Sequence, residues 1–394
     1  MLLRKEGFDG PISLVGDENQ PPYERPPLSK EYLQGRKPLD KFQVRPAQWY
    51  AEHSVDTYFG DAAVAIDRAA GKVRLASGVA LPYTRLVIAT GARSRRIDIP
   101  GSDLPQVFYL RDLAESTALR EALQPGANLA IVGGGWIGLE VAATARQAGC
   151  NVTVLERDRW PLLAVMGEEI AHDFTDLHRS HGVDVQTQVS VAEIVGDGGR
   201  VTGVRTDRDT IAADLVLIGV GAIPNTELAE AAGLEVEHGI VVDEHLVSSD
   251  PAILAAGDVA NAWNTGMQAR LRVEHWDNAI RQGKLAAKTI LGGATAENAA
   301  YDWQPYFFTD QYDLGMEYVG HADGHDEVVV RGEAGSGEFI VFWLHEGLVK
   351  AAMNVNIWDV NSDLRALIGA ELSPGVLADH RVPLSDLVQT VREA

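Results

Sequence analysis

Gly133, Gly135 and Gly138 stand in the spacing Gly-x-Gly-x-x-Gly, with Trp136 and Ile137 ahead of the last glycine. Glycines so spaced make a loop that cradles a pyrophosphate. The first permits a tight turn, the second lets the backbone approach the phosphates, and the third lets a helix pack close to a strand. A helix start after the loop offers free N–H groups and a partial positive charge to the phosphates. Glu156 follows 18 positions beyond Gly138, where an acid accepts hydrogen bonds from ribose hydroxyls. The same carboxylate repels a 2′-phosphate, so NAD(H) is expected rather than NADP(H), with Arg157 and Arg159 just beyond pulling the other way. The competing reading of the glycines is a plain α/β turn without a ligand.

The surrounding pattern decides between them. Leu129–Val132 is an apolar run that reads as a strand, Leu139–Ala148 as a helix with Gly149 ending it, and Val152–Leu155 as the next strand. That is a βαβ unit, with the period switching from strand to helix and back. Upstream, Ile12–Val15 is a strand candidate closed by Gly16 and Asp17. Four prolines in seven residues, from Pro21 to Pro27, argue against a helix there. Short strands are expected near Ala62–Ile66 and Lys72–Leu75. Leu86–Ala89 is wholly apolar, as a buried parallel strand should be. A helix is expected over Asp112–Leu123. Asp214–Ile218 is another buried strand, leading to Gly219 and Gly221, and Ile253–Ala256 runs into Gly257-Asp258. From about Tyr301 the chain turns aromatic and alternating, with strands near Glu327–Val330 and Glu338–Trp343, which marks a third domain.

Composition narrows the function. Acidic residues outnumber basic ones 56 to 34, a net charge of −22, which excludes nucleic acid as the main partner because phosphate binding needs a concentrated basic surface. The single cysteine, Cys150, excludes a disulfide framework or a Cys-x-x-Cys redox centre within the chain and reads as a packing residue. The first residues lack the apolar core of a signal peptide, and no stretch reaches the ~18 apolar residues of a membrane span. A soluble, cytoplasmic protein of two or three domains, monomer or homodimer, is expected.

Several segments taken together resemble the FAD-dependent ferredoxin–NAD reductases, the group that contains putidaredoxin reductase, rhodocoxin reductase and the reductases of Rieske dioxygenases. They are Val15–Glu18, Arg25–Lys30, Ala89–Arg93, Tyr109–Arg111, Val132–Glu140, Ala256–Asp258, Glu274–Ala279 and Phe308–Asp313. The resemblance implies an α/β chain of two Rossmann-like dinucleotide-binding domains plus a C-terminal α+β interface domain. Residues 1–111 and 241–300 would form the FAD domain, 112–240 the NAD domain and 301–394 the interface domain.

The resemblance also implies roles. Asp17 falls where the family has an acid near the FAD adenosine, and Lys30 where a lysine reaches the flavin. Val64 and Arg111 match adenine-side and phosphate-side contacts, Asp258 the ribityl–phosphate region and Trp276 a contact to the isoalloxazine ring. Arg25, Ala89, Thr90, Gly91, Glu274 and His275 belong to the same FAD-side motifs, although His275 reads as structural. Gly133, Gly135, Trp136, Ile137, Gly138, Glu156 and Gly221 form the NAD-side set. Glu140 would pair with Lys30 near the nicotinamide; a lysine beside a flavin stabilises negative charge that develops on reduction. The plainer readings are that Glu140 is an acid favoured by the helix dipole and Lys30 a solvated loop lysine.

One departure stands out. Family members begin with a strand and a glycine-rich loop that cradles the FAD pyrophosphate, but only 16 residues precede Asp17, and Met1–Glu6 read as the end of the first helix. A chain of this length is therefore expected to expose unpaired strand edges and to bind FAD poorly. The activity implied is transfer of electrons from NADH through FAD to a [2Fe–2S] ferredoxin serving an oxygenase. Reduction of rubredoxin, of a nitrite-reductase partner or of a quinone remains open, as does a non-catalytic NAD-binding remnant. An acidic ferredoxin needs a basic patch, for which Arg93, Arg95 and Arg96, or Arg270, Arg272 and Arg281, are candidates.

Overall fold

A computed structural model describes residues 1–292 and 299–393. The elements that bear on function are, in chain order, β1 (Ile12–Gly16), β2 (Val55–Phe59), β3 (Leu86–Ile88), β4 (Val107–Phe108), α1 (Leu113–Ala122), β5 (Asn128–Val132), α2 (Trp136–Gln147), β6 (Asn151–Leu155), α3 (Glu168–Ser180), β7 (Asp184–Gln186), β8 (Leu215–Ile218), β9 (Ile253–Ala255), α4 (Trp276–Leu291), β10 (Tyr306–Gln311), β11 (Leu314–Gly320), β12 (Glu327–Gly332), β13 (Phe339–His345) and β14 (Leu348–Val355).

The chain forms two compact units. One comprises Met1–Arg25, Pro38–Arg93 and Ala222–Pro305. In it β1 pairs in parallel with β2, and β9 in parallel with β3. Among the described residues β1 and β3 each bond to a single neighbouring strand, so each presents one open edge. The core gathers Ile88, Ile253, Leu254, Ala255, Val259, Leu285 and Tyr301.

The other unit comprises Pro26–Lys37, Ser94–Gly221 and Tyr306–Ala394. Its first half is a parallel sheet in the order β7-β6-β5-β8-β4. Central β5 is buried apart from its first residue, and β8 is buried throughout, as strands covered on both faces must be. Its second half is an antiparallel sheet in the order β10-β11-β14-β13-β12. The two halves share a core: Leu139 of α2 and Ile170 and Phe174 of α3 pack with Met316, Val341, Trp343 and Met353. Trp343 Nε1 donates to Met166 O at 3.1 Å.

Two local expectations change. Helix α2 begins at Trp136, three residues before the apolar periodicity starts, because the glycine loop itself supplies the N-cap at Gly135. The proline-rich stretch is not wholly irregular: Pro26–Ser29 is a 3₁₀ turn, since proline's fixed φ suits the first turn of a helix and only blocks its continuation. Cys150 is fully buried and its Sγ faces Gln124 O at 3.3 Å, while burial raises its thiol pKa. No helix among the described residues is long and apolar enough to cross a membrane.

Candidate functional site

The residues singled out from the sequence fall in two groups, one in each unit. In the second unit the glycine loop joins β5 to α2. Gly133 has φ +101°, and a Cβ there would lie 2.5 Å from Gly219 O. A Cβ on Gly138 would meet Gly133 O at 2.3 Å. Both positions therefore require glycine for the protein's own packing. Gly135 differs: the nearest protein atom to a Cβ there is Gly219 O at 3.9 Å, so its bareness leaves room for something other than protein. No side chain caps α2, and its first amides stay available to an anion. Ile137 is exposed beside the loop, and Trp136 packs at 5.4 Å from the Phe174 ring and 5.2 Å from Phe307. Gly221 has φ +100° and its carbonyl accepts from Arg95 N at 2.9 Å.

Glu156 closes β6 and turns back over the loop. Its Oε2 accepts from Gly134 N at 2.7 Å and its Oε1 from Asp158 N at 2.8 Å. The carboxylate thus stands at the loop, oriented by backbone donors. Arg159 is drawn off by Glu168 at 2.9 Å, and Arg157 is largely exposed.

Lys30 and Glu140 lie in the same unit and meet. Lys30 Nζ is 2.7 Å from Glu140 Oε1, with both side chains more than nine-tenths buried. The proline turn lifts Ser29 and Lys30 out of solvent, and Ser29 Oγ donates to Glu140 Oε2 at 2.5 Å. A third donor comes from the C-terminal sheet: Thr309 Oγ1 reaches Glu140 Oε1 at 2.6 Å. The ring of Phe308 lies 5.6 Å from the Lys30 ammonium. These contacts exclude a solvated Lys30, and they hold Glu140, in the second turn of α2, by three donors. Ser29 and Thr309 were missed by the sequence reading. A signal for Thr309 existed, as it and Gln311 are polar residues two apart, on one face of an aromatic strand.

Arg111 N donates to Glu115 Oε2 at 2.7 Å, while Asp112 caps α1 by accepting from Glu115 N at 2.8 Å. Burial raises the pKa of the Glu115 carboxyl, with Asp112 adding to it.

In the first unit Asp17 follows β1 directly and is exposed. Arg25 pairs with Glu18 at 2.9 Å, and its guanidinium sits 5.4 Å from the Tyr23 ring. Burial opposes the charge on Arg25, yet Tyr23, Glu18 and Asp258 together hold its pKa above the ordinary value. Asp258 follows Gly257, which has φ +78° and donates its amide to Gln282 Oε1 at 2.7 Å. Arg272 joins Asp258 to Glu274, donating to the carbonyl of the one and the carboxylate of the other. Ala89, Thr90 and Gly91 leave β3, and Thr90 Oγ1 donates to Asn225 O at 2.7 Å while Asn225 Nδ2 donates to Thr90 O at 2.8 Å. Val64 is exposed on the strand Ala63–Asp67. His275 is the N-cap residue of α4, and Trp276, its first residue, is 38 % exposed.

Several arginines of the candidate basic patches make local contacts while staying partly exposed. Arg93 pairs with Glu227 at 2.7 Å, Arg96 stacks 4.2 Å from the Tyr109 ring, Arg270 donates to Val242 O and Asn261 O, and Arg281 pairs with Asp277 at 2.7 Å.

In the second unit the open position at Gly135, the uncapped helix and Glu156 suit a dinucleotide. In the first unit Asp258, which follows the positive-φ Gly257, and the exposed Trp276 are residue types that suit a flavin. Comparison with known proteins agrees. Residues 2–283 match the family described as pyridine nucleotide-disulphide oxidoreductase, and residues 306–388 match the family described as reductase C-terminal. Rhodocoxin reductase of Rhodococcus erythropolis is 40 % identical over 341 residues, 86 % of this chain and 79 % of its own. The ferredoxin–NAD(+) reductase component of the anthranilate 1,2-dioxygenase system of Burkholderia cepacia is 39 % identical over 385 residues, 97 % of this chain and 94 % of its own. A crystal structure of the covalent putidaredoxin reductase–putidaredoxin complex superposes with a TM-score of 0.95 at 35 % identity, covering 100 % of this chain and 95 % of that one. The chain belongs to the pyridine nucleotide-disulphide oxidoreductase family, an oxidoreductase whose cofactors are FAD and NAD(H).

Proposed function

We propose that the protein carries electrons from NADH through FAD to a [2Fe–2S] ferredoxin that serves an oxygenase. The observation that carries this reading is the buried Lys30–Glu140 pair, whose Glu140 lies on the helix that the dinucleotide loop leads into. When bound, the two cofactors supply the hydride donor and the carrier that converts a hydride into single electrons.

The chain's own residues supply binding, charge and exclusion of water. Gly133, Gly135 and Gly138 shape the loop for the NADH pyrophosphate, with Trp136, Ile137 and Gly221 around it. Glu156 takes the ribose hydroxyls and disfavours a 2′-phosphate. Lys30 places a positive charge where negative charge develops, and Glu140 holds that ammonium in one direction. Asp17, Arg25, Val64, Ala89, Thr90, Gly91, Arg111, Asp258, Glu274, His275 and Trp276 are assigned to the FAD side. Residues 1–111 with 241–300, 112–240 and 301–394 are assigned as FAD, NAD and interface domains, and the cytoplasm as compartment.

The single cysteine separates this chain from members of the family that work through a redox disulfide, because no second thiol is present in these 394 residues. The names of the relatives point to an iron–sulfur protein as acceptor instead. A turnover panel with NADH and, in turn, a [2Fe–2S] ferredoxin, a rubredoxin and a quinone tests the reading. The ferredoxin is expected to give the highest kcat/KM, and a preference of tenfold or so for another acceptor overturns it.

A further inference from the structure

Glu140 is the inner end of a longer chain of hydrogen bonds. Thr309 Oγ1 reaches Glu140 Oε1 at 2.6 Å, and Gln311 Nε2 reaches Thr309 Oγ1 at 3.2 Å. Gln311 Oε1 lies 2.8 Å from His178 Nε2, and His178 Nδ1 lies 3.3 Å from Tyr312 Oη. Glu140, Thr309, Gln311 and His178 are all buried. The outer end is at the surface, where Tyr312 lines a recess of about 380 Å³ with Arg146, Gln147, His181 and Asp313 and stacks on His181 at 3.7 Å.

The direction of the donors follows from the inner end. A carboxylate paired with an ammonium accepts only, so the Thr309 hydroxyl must donate to it. The Thr309 oxygen then accepts from the Gln311 amide nitrogen, which turns the Gln311 oxygen toward His178. An oxygen there requires the His178 proton on Nε2 and leaves Nδ1 to accept from the Tyr312 hydroxyl. Burial keeps the pieces in these states: it pushes the His178 pKa down to about 4, leaving a neutral imidazole, and raises that of the Tyr312 phenol. An amide in mid-chain does not pass protons on, so the assembly is a holding device rather than a proton wire.

We propose that Thr309 is a positioning residue for the Lys30–Glu140 pair, and that Gln311, itself held by His178, occupies the acceptor side of its hydroxyl and so keeps the proton on Glu140. This rests on the reading of that pair as part of the hydride-transfer site. With the hydroxyl donor in place, Glu140 Oε1 is held between Thr309 and Lys30 and the ammonium keeps one orientation. Without it Oε1 keeps only the ammonium as partner, and Ser29 on Oε2 is the one remaining hydroxyl that restrains the carboxylate, so the pair is held less tightly. The β10 strand would thus act on hydride transfer through Glu140, touching neither nucleotide.

The test compares wild type, Thr309→Val, Thr309→Ser and Glu140→Gln, each with FAD bound, by stopped-flow flavin reduction with NADH and by ¹⁵N NMR of histidine-labelled protein. In wild type His178 is expected as the neutral Nε2–H tautomer. Thr309→Val is expected to slow flavin reduction at saturating NADH about tenfold with the apparent NADH affinity within about twofold, and to mix the His178 tautomers. Thr309→Ser restores both. Where Thr309→Val does not fold, Gln311→Met stands in for it with the same expectations. A wild-type rate in Thr309→Val beside a slowed Glu140→Gln overturns the positioning role while leaving the pair's role intact. A wild-type rate in Glu140→Gln overturns the role of the pair, and with it the positioning role. An Nδ1–H tautomer in wild type, or a His178 signature unchanged in Thr309→Val, overturns the directed chain whatever the rates.

Discussion

Glu156 Oε2 accepts the amide proton of Gly134 at 2.7 Å, so the acid that ends β6 is tied to the glycine loop that begins α2. The tie gives Glu156 two tasks, fixing the loop and presenting a negative charge beside it. Glu156→Ala removes both. The KM for NADH is expected to rise about tenfold, as for loss of a charged hydrogen bond, and the preference for NADH over NADPH to fall by a similar factor. Steady-state kinetics with both nucleotides check this. An unchanged preference ratio would place the ribose elsewhere.

The three loop glycines should separate on substitution. Gly138→Ala forces a Cβ to 2.3 Å from Gly133 O, and the backbone must move. It is expected to lower stability by about 2 kcal/mol or more, in the range of overpacking, together with NADH affinity. Gly135→Ala meets no protein atom closer than 3.9 Å. It should leave the melting temperature near wild type and weaken NADH alone. Thermal melts beside nucleotide titrations distinguish the two, and a matched loss of stability in both variants contradicts the assignment of Gly135 to ligand approach.

Lys30 and Glu140 are buried against each other, so removing one strands the other. Lys30→Met is expected to cost about 3–5 kcal/mol of stability, whereas Lys30→Met with Glu140→Leu should recover much of that, because an apolar pair carries no desolvation penalty. Activity should not recover in the double variant, since the positive charge that the proposed function assigns to hydride transfer is gone. Denaturant unfolding and flavin reduction read the two effects separately. Recovery of both would make the pair merely structural.

His178 predicts a pH dependence of stability. Burial pushes its pKa down to about 4 from the ordinary 6.5. Between those values the unfolded chain binds a proton that the folded one refuses, so stability rises with pH across this window. The contribution is complete above 6.5 and lost progressively toward 4, at most about 3 kcal/mol. His178→Gln, compared with wild type at pH 7 and pH 4.5, should show the smaller drop in melting temperature on acidification. Equal drops would mean that His178 takes up a proton in the folded state as readily as in the unfolded one.

What residue order alone determined is local. The glycine spacing, the strand before it, the helix after it and Glu156 lie within one stretch of chain, and hydrophobic period with glycine chemistry suffices to read them. The motifs shared with the reductase family are equally short and identified the family correctly. Contacts between distant segments were another matter. Lys30, Ser29, Glu140, His178, Thr309 and Gln311 come from a proline turn, two helices and an edge strand, and only the packing of α2 and α3 against the C-terminal sheet brings them together. Residue order placed Lys30 at the flavin through the family resemblance but left a solvated lysine open, because burial of a lysine depends on what the rest of the chain places over it. The same holds for Arg93, Arg96, Arg270 and Arg281, whose contacts with carboxylates, carbonyls and a ring were not readable from residue order. Sequence order encodes torsions and periodicity over a few turns, whereas the partner of a buried charge is chosen by close packing, which only the tertiary structure decides.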